Sequence, residues 1–244
     1  MRLHSFVFIM PVAAVALIGA SCTRSADPTS NSDAPPVATG ATVFDFDRDD
    51  IDKTPGGFTA VLTGGGGPVN WQVQSIADAP SGKQVVAQLS DDRTNARYPN
   101  LVRDDVMVKD VDLSVKFKTI AGEVDASGGL VFRYKDKGNF YVVRANSLED
   151  NVVAYKTENG KRSNIGVKGK GSAYGVKADV PHQKWNTLRV IMKGELIEIF
   201  LNGTRLFEVE NDTFSEAGKV GLWTKADAVT QFDDLRIQSL DSAP

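Results

Sequence analysis

Carboxylates, arginines and aromatic rings are the side chains best able to do chemistry in this sequence, because histidine and cysteine are scarce. The chain has 244 residues, with one cysteine and two histidines. We therefore expect neither an internal disulfide nor a histidine-rich metal site. The formal net charge of −3 argues against nucleic acid as a partner, since a phosphate backbone attracts a basic surface.

Arginine, aromatic and amide residues recur from the centre of the sequence towards its C-terminal end. This mixture suits sugar recognition, because rings stack on a pyranose while planar polar groups pair with its hydroxyls. A hairpin turn at 135–139 would place Arg133 opposite Tyr141 as a cross-strand pair. The predicted carbohydrate-binding residues are Arg97, Arg133, Tyr141, Arg144, Asn146, Trp223 and Lys225. The alternative interpretation is that Trp223 belongs to the core and that the arginines are solvated.

An acidic pair, Asp233 and Asp234, lies inside an apolar stretch of the sequence. Phe232 and Leu235 both have the character of inward-facing residues but are three apart, which predicts a β-bulge at the acidic pair. Two such carboxylates could hold Ca²⁺, which prefers oxygen ligands. The alternative is that one of them accepts backbone N–H groups within the bulge. Calcium is the one cofactor that the sequence suggests.

The N-terminal residues have the pattern of an export signal. Residues 1–21 begin with a positive charge at Arg2 and continue as an apolar run that ends in Gly-Ala-Ser before Cys22. This pattern resembles a lipoprotein signal and predicts lipidation at Cys22, with an ordinary secretory signal as the alternative. Residues 22–40 are rich in Ser, Thr, Pro and Asp, which predicts a flexible tether. We therefore expect an exported protein anchored to a membrane at the cell envelope, in the periplasm or at the cell surface.

Residues 41–240 must supply the framework that positions the candidate residues. They contain many short segments of alternating polarity, rich in Val, Ile, Phe, Tyr and Thr, and separated by turn signals such as Asn202-Gly203. This pattern predicts one all-β domain, a two-sheet antiparallel β-sandwich. The best helix candidate is Val102–Val108.

Several predicted strands resemble those of a concanavalin A-like jelly roll. The segments that carry the resemblance are Gly128–Tyr134, Asn139–Asn146, Trp185–Gly194, Ile197–Gly203, Gly218–Thr224 and Phe232–Ile237. They are similar to the 3-keto-disaccharide hydrolase domain family and to laminin G-like modules. The resemblance implies the fold, but this architecture hosts lectins, glucanases and adhesion modules alike.

The resemblance leaves three functions open. Laminarinase-type glucanases of this superfamily place two acids on one strand in the pattern Glu-x-Asp-x-x-Glu, which this sequence lacks. A lectin-like, carbohydrate-binding domain is therefore the first prediction, with a protein adhesion module as a further alternative. A hydrolase or lyase acting on glycosidic bonds, such as a 3-keto-disaccharide hydrolase, is the second. For it, the candidate catalytic residues are Asp227 and then Glu149 or Asp150.

Overall fold

The computed structural model describes residues 40–241. This part of the chain contains sixteen β-strands and no helix. The predicted signal segment, Cys22 and all but the last residue of the predicted tether lie outside these residues. Within 40–241, no helix is present that is long and apolar enough to cross a membrane. The predicted two-sheet antiparallel sandwich is confirmed.

The strands divide evenly between two sheets. Their bounds are β1 Thr42–Phe44, β2 Phe58–Gly64, β3 Trp71–Ser75, β4 Gln84–Gln88, β5 Arg97–Arg103, β6 Val111–Ala121, β7 Ser127–Asp136, β8 Asn139–Asn146, β9 Asn151–Glu158, β10 Lys161–Asn164, β11 Val176–Lys177, β12 Asn186–Lys193, β13 Leu196–Leu201, β14 Thr204–Glu210, β15 Lys219–Trp223 and β16 Val229–Ser239. Sheet A has the order β14-β13-β12-β6-β16-β4-β3, with β1 paired to β16. Sheet B has the order β10-β9-β8-β7-β15-β5-β2, with β11 paired to β9.

The main core lies between the two sheets. Alternate residues of each strand point into it, as the period of two along a strand requires. Leu113 and Phe117 enter from β6 of sheet A, while Leu130 and Tyr141 enter from sheet B, and all four are fully buried. Burial of each such side chain stabilises the fold by about 1.5–3 kcal/mol.

The helix predicted over Val102–Val108 is wrong. Residues up to Arg103 belong to β5, and the remainder forms a bend and an isolated bridge from Val108 to Gly218. β5 is hydrogen-bonded on both sides, to β15 and to β2. Tertiary pairing of the β-branched Val102 therefore overrides the weak local helix signal.

The hairpin formed by β7 and β8 does not have the predicted register. Tyr141 lies opposite Phe132, and a bulge follows between Phe132 and Asp136. Arg133 lies in this bulge with a φ of +44°. The predicted pairing of Arg133 with Tyr141 is therefore wrong, because the bulge shifts the register by one residue and redirects the following side chains.

The bulge predicted at the acidic pair is present. The pairing of β16 with β6 shifts between Asp233 and Arg236, and Asp234 has a φ of +49°. The shift lets Phe232 and Leu235 both enter the core, where each is fully buried.

Candidate functional site

A second apolar cluster lies on the face of sheet B that points away from the core. Its residues alternate with those of the main core along each strand. The buried members are Val102, Val131, Tyr134, Phe140, Val142, Val153, Tyr155 and Trp223, and the partly buried Tyr98 packs against them. All of them come from sheet B, so this face forms its own apolar surface rather than part of the sheet interface.

The same face is strongly concave. Arg162 of β10 lies against Tyr98 of β5, with its Cζ 4.6 Å from the centre of the tyrosine ring. Four strands separate β10 from β5, which in a flat sheet would hold them about 24 Å apart. The contact is possible only because sheet B curls, and we call this surface the concave face.

Three rings on the concave face form an aromatic cage, which consists of Tyr98, Tyr155 and Trp223. The rings of Tyr98 and Trp223 are stacked, with centroids 5.8 Å apart and an interplanar angle of 15°. The Arg162 Cζ lies 4.4 Å from the Tyr155 ring centre and 5.8 Å from that of Trp223. The cage therefore surrounds a guanidinium group by cation–π contact.

A charged cluster lies beside the cage and consists of Asp125, Arg144, Glu149 and Lys225. The Arg144 side chain is buried, and its Nη2 donates to Glu149 Oε2 at 2.8 Å. Its Nη1 donates to Asn151 Oδ1 at 2.6 Å. Although partial burial would raise the pKa of Glu149, its hydrogen bond and charge interaction with Arg144 lower it below the usual range. The carboxylate is therefore held ionised by its cation.

Asp125 is the member of the charged cluster that the sequence analysis missed. It is fully buried, accepts a hydrogen bond from Ser127 Oγ and lies 3.3 Å from Lys225 Nζ. Burial raises the pKa of Asp125, while Ser127 and the charges of Arg144 and Lys225 oppose that rise. Nothing in the local spacing marks this residue, because its cationic neighbours come from β8 and from the segment after β15.

Several buried polar atoms on the concave face have no hydrogen-bond partner among the described residues. They are Trp223 Nε1, Arg144 Nε, Arg162 Nη1, Asn146 Nδ2, Asn100 Oδ1 and Asp125 Oδ2. A buried polar group left unpaired costs about 1–3 kcal/mol, so most such groups in folded proteins are satisfied. A polar ligand that entered the cage would supply the partners that these atoms lack.

Gly129 separates the cage from the charged cluster. It pairs with Trp223 on one side and with Arg144 on the other. A Cβ at this position would lie 3.2 Å from Trp223 Cε3, 3.3 Å from Arg144 Cβ and 2.9 Å from the Val143 carbonyl oxygen. Because glycine has no side chain, the indole and the arginine can approach each other across the floor of the concave face.

Four of the predicted carbohydrate-binding residues come together here, and Glu149 with them. Trp223 belongs to the cage, Arg144 and Lys225 belong to the charged cluster, and Asn146 lies at the end of β8. Asn146 Oδ1 accepts the backbone N–H groups of Leu148 and Glu149, at 2.8 and 3.1 Å. Asn146 therefore shapes the turn that presents Glu149 to Arg144.

Arg133 and Tyr141 lie away from the concave face. The Arg133 guanidinium is buried and donates to the carbonyl oxygens of Lys109, Gly194 and Phe214. Tyr141 is fully buried in the main core, where its Oη accepts the Phe214 N–H at 3.0 Å. Both side chains hold loops against the sandwich, and the structure does not bring them to the other predicted sugar ligands.

Arg97 also has an internal role in the structure. Its guanidinium donates to the carbonyl oxygens of Gly67, Pro68 and Ala226 and to Ser90 Oγ, at 2.7–3.2 Å. These bonds fasten the end of the glycine run at 64–67 to two other loops. No Arg97 nitrogen remains directed at the concave face.

The other candidate acids have structural contacts. Asp227 accepts the backbone N–H groups of Glu123, Val124 and Asp125 at 2.8–3.1 Å. These bonds lower the pKa of Asp227 even though partial burial opposes them, and they fix the loop that carries Asp125. Asp150 lies in a turn with a φ of +46°, and its carbonyl oxygen accepts the Ala178 N–H.

The acidic pair at the bulge is also engaged by protein groups. Asp233 accepts the N–H groups of Ser81 and Asp234, at 3.0 and 2.6 Å, and burial raises its pKa to about 6. Asp234 pairs with Lys116 Nζ at 2.8 Å. Both carboxylates thus have protein partners, and residues 40–241 contain no group of three or more His, Cys, Asp or Glu arranged to hold a metal. Calcium binding stays a prediction from the sequence.

This chain is similar in sequence to one protein family and in structure to several solved proteins. Residues 46–238 match the sequence profile of the 3-keto-alpha-glucoside-1,2-lyase-like domain family. The carbohydrate binding module CBM66 from Bacillus subtilis superposes with a TM-score of 0.58 at 21% identity, over 75% of this chain and 96% of that one. Cellulose induced protein Cip1 superposes with a TM-score of 0.52 at 14% identity, over 75% and 90% of the two chains. No protein of curated function matches significantly. At these identities, the structural likeness establishes a shared fold.

Proposed function

The chain belongs to the 3-keto-alpha-glucoside-1,2-lyase-like domain family, and from this premise we propose that it binds carbohydrate on the concave face of sheet B. The observation that carries the proposal is the position of the aromatic cage beside unpaired polar groups. The Tyr98 ring is partly exposed and is stacked on the fully buried Trp223, so Tyr98 is the ring of this pair that can meet a sugar. Trp223 Nε1 and Asn100 Oδ1 are buried and have no hydrogen-bond partner among the described residues, so they leave one donor and one acceptor for a ligand that enters the cage.

Replacing Trp223 with alanine tests this proposal. We expect wild-type protein to be retained on at least one class of glycan in an array, and Trp223→Ala to bind that glycan at least tenfold more weakly. The reason is that Tyr98 loses the buried indole on which it is stacked, and the cage loses the Nε1 donor. Affinities are measured by titration calorimetry on variants whose circular dichroism confirms the fold.

The matched control is Trp185→Ala. Trp185 lies just before β12 of sheet A, where its Nε1 donates to the Asp78 carbonyl oxygen at 2.8 Å. We expect this variant to bind the glycan as the wild type does. Undiminished binding by a folded Trp223→Ala protein would show that the concave face is not the binding surface.

Cleavage of a 3-keto-glycoside is a second candidate function, and the buried Asp125 favours it. A proton on the carbon next to a keto group is acidic, so a base can remove it. The electron pair left behind then forms a double bond to the anomeric carbon as the glycosidic C–O bond breaks, and the departing oxygen takes a proton from solvent. A carboxylate with a raised pKa is a better base, and Lys225 and Arg144 beside it stabilise developing negative charge.

We also propose that the protein is exported and attached to a membrane through Cys22. The support is the sequence of residues 1–22, with its charged start, apolar run and small residues before the cysteine. In cell fractionation, wild-type protein is expected in the membrane pellet, and Cys22→Ser in the soluble fraction. Ser25→Ala is the control and should remain with the pellet. Membrane association that survives Cys22→Ser would exclude this anchor.

A further inference from the structure

We propose that the glycan bound by the concave face is acidic, and that the Arg162 guanidinium binds the carboxylate of a hexuronic acid unit. This inference rests on the proposed carbohydrate-binding function and specifies the class of sugar. It is carried by three cationic side chains of the concave face, Arg144, Lys225 and Arg162. They differ in whether a carboxylate of the protein already pairs with them.

Two of these cations have carboxylate partners, and the third has none among the described residues. Arg144 pairs with Glu149 at 2.8 Å, and Lys225 lies 3.3 Å from Asp125. No carboxylate within residues 40–241 forms an ion pair with Arg162, and its buried Nη1 lacks a hydrogen-bond partner there. Removing a charge from water is costly unless a counter-charge compensates. An anionic ligand would supply the counter-charge that Arg162 lacks.

The geometry of the cage selects a planar anion. The Arg162 Cζ lies over the Tyr98 and Tyr155 rings, 4.6 and 4.4 Å from their centres, and a guanidinium holds its N–H bonds in one plane. A carboxylate can accept two of these N–H bonds in parallel, which is the strongest common pairing of arginine. The rings thus hold the guanidinium, and its Nη1 has no hydrogen-bond partner among the described residues.

Among the unpaired atoms around the cage, donors outnumber acceptors. Trp223 Nε1, Arg144 Nε, Arg162 Nη1 and Asn146 Nδ2 are donors, whereas Asn100 Oδ1 and Asp125 Oδ2 are acceptors, and Asp125 already has Lys225 as its counter-charge. A neutral sugar hydroxyl can both donate and accept, so it does not require such an excess. A carboxylate only accepts, and it would satisfy more than one of these donors.

Access to Arg162 is available from the edge of sheet B. Arg162 is partly exposed on the edge strand β10, and Asn164, the β10 residue that shares its face, is exposed. Tyr174, whose Oη lies 3.3 Å from Arg144 Nη2, is 52% exposed at the rim of the face. A glycan can therefore place one acidic unit against Arg162 while the rest of its chain remains in solvent.

Titration calorimetry with matched sugars tests the inference. The probes are oligosaccharides of galacturonate and of glucuronate, their methyl esters, and neutral galactose and glucose oligosaccharides of equal length. We expect one of the acids to bind at least tenfold more tightly than its methyl ester. Arg162→Gln should remove this difference, because it removes the charge and the paired donors. Arg205→Gln, on sheet A, should leave the difference intact.

Arg162→Lys keeps a positive charge in the cage but removes the planar pair of N–H donors. It therefore separates the effect of the charge from that of the paired donors. We expect it to lose most of the preference for the acid, since an ammonium group lacks the planar pair of donors. Equal binding of acids, esters and neutral sugars, unaffected by Arg162→Gln, would overturn the inference and leave the proposed function standing. Absence of binding to every sugar in the panel and on the glycan array would overturn the proposed function itself.

Discussion

Replacing Arg133 with methionine is expected to lower the free energy of unfolding by about 3–5 kcal/mol, the range for breaking a buried charged network. The guanidinium is buried in the bulge of β7 and donates to three carbonyl oxygens, as well as to Asp110 Oδ1 at 3.1 Å. Methionine fills much of the volume but leaves these four acceptors without their donor. Urea denaturation of wild type and variant, followed by tryptophan fluorescence, measures the change.

The control for Arg133→Met is Arg205→Met. Arg205 is partly exposed and pairs with Glu198 and Glu208 on sheet A, and its loss should cost at most about 1 kcal/mol. The folded fraction of Arg133→Met should keep wild-type affinity for the glycan, because Arg133 lies away from the concave face. A stable Arg133→Met protein that has lost sugar binding would restore Arg133 as a ligand.

Asp125→Asn is expected to lower kcat for cleavage of a 3-keto-disaccharide by at least a hundredfold, if Asp125 is the base that removes the proton. Asparagine has nearly the same shape but cannot accept a proton in this range of pH. Product release is followed by chromatography with purified protein, with and without a chelator. Affinity for the uncleaved sugar should change little. Asp78→Asn, which alters a carboxylate that pairs with Lys118 on sheet A, is the control.

The pH dependence of cleavage gives an independent readout for Asp125. Its pKa is raised by burial, so the carboxyl stays protonated to a higher pH than an exposed aspartate and cannot then act as a base. The rate should therefore rise as the pH increases through this raised pKa. A rate that is unchanged in Asp125→Asn but lost in Glu149→Gln would assign the base to Glu149, and no turnover by wild type would exclude cleavage of the substrate tested.

Most of the fold can be predicted from the sequence, because the local alternation of polar and apolar residues indicates each strand. The bulge at Asp233 is visible in the same way, since two apolar residues spaced by three interrupt the period of two. The bulge at Arg133 is not visible, because the residues around it alternate acceptably in either register. The bulge moved Arg133 out of the candidate site, whereas Tyr141 lies outside it because its face of β8 points into the main core.

The site itself was only partly predictable, for a geometric reason. Arg144 and Asn146 lie in phase on β8, and Trp223 lies on β15, which is separated from β8 only by β7. Lys225 follows Trp223 in the same phase, so alternation places all four on one face. Arg162 and Asp125 reach that face by other means. Arg162 depends on the curl of sheet B, and Asp125 on a loop fastened by Asp227. Neither curvature nor a loop's path is encoded in the periodicity of a strand.

The position of β16 has a consequence for biosynthesis. It occupies the centre of sheet A, between β6 and β4, yet it comes from residues 229–239. Until those residues leave the ribosome, β6 and β4 present unpaired edges that favour aggregation. Sheet A can therefore close only after residues 229–239 have been synthesised, whereas every strand of sheet B is made before them.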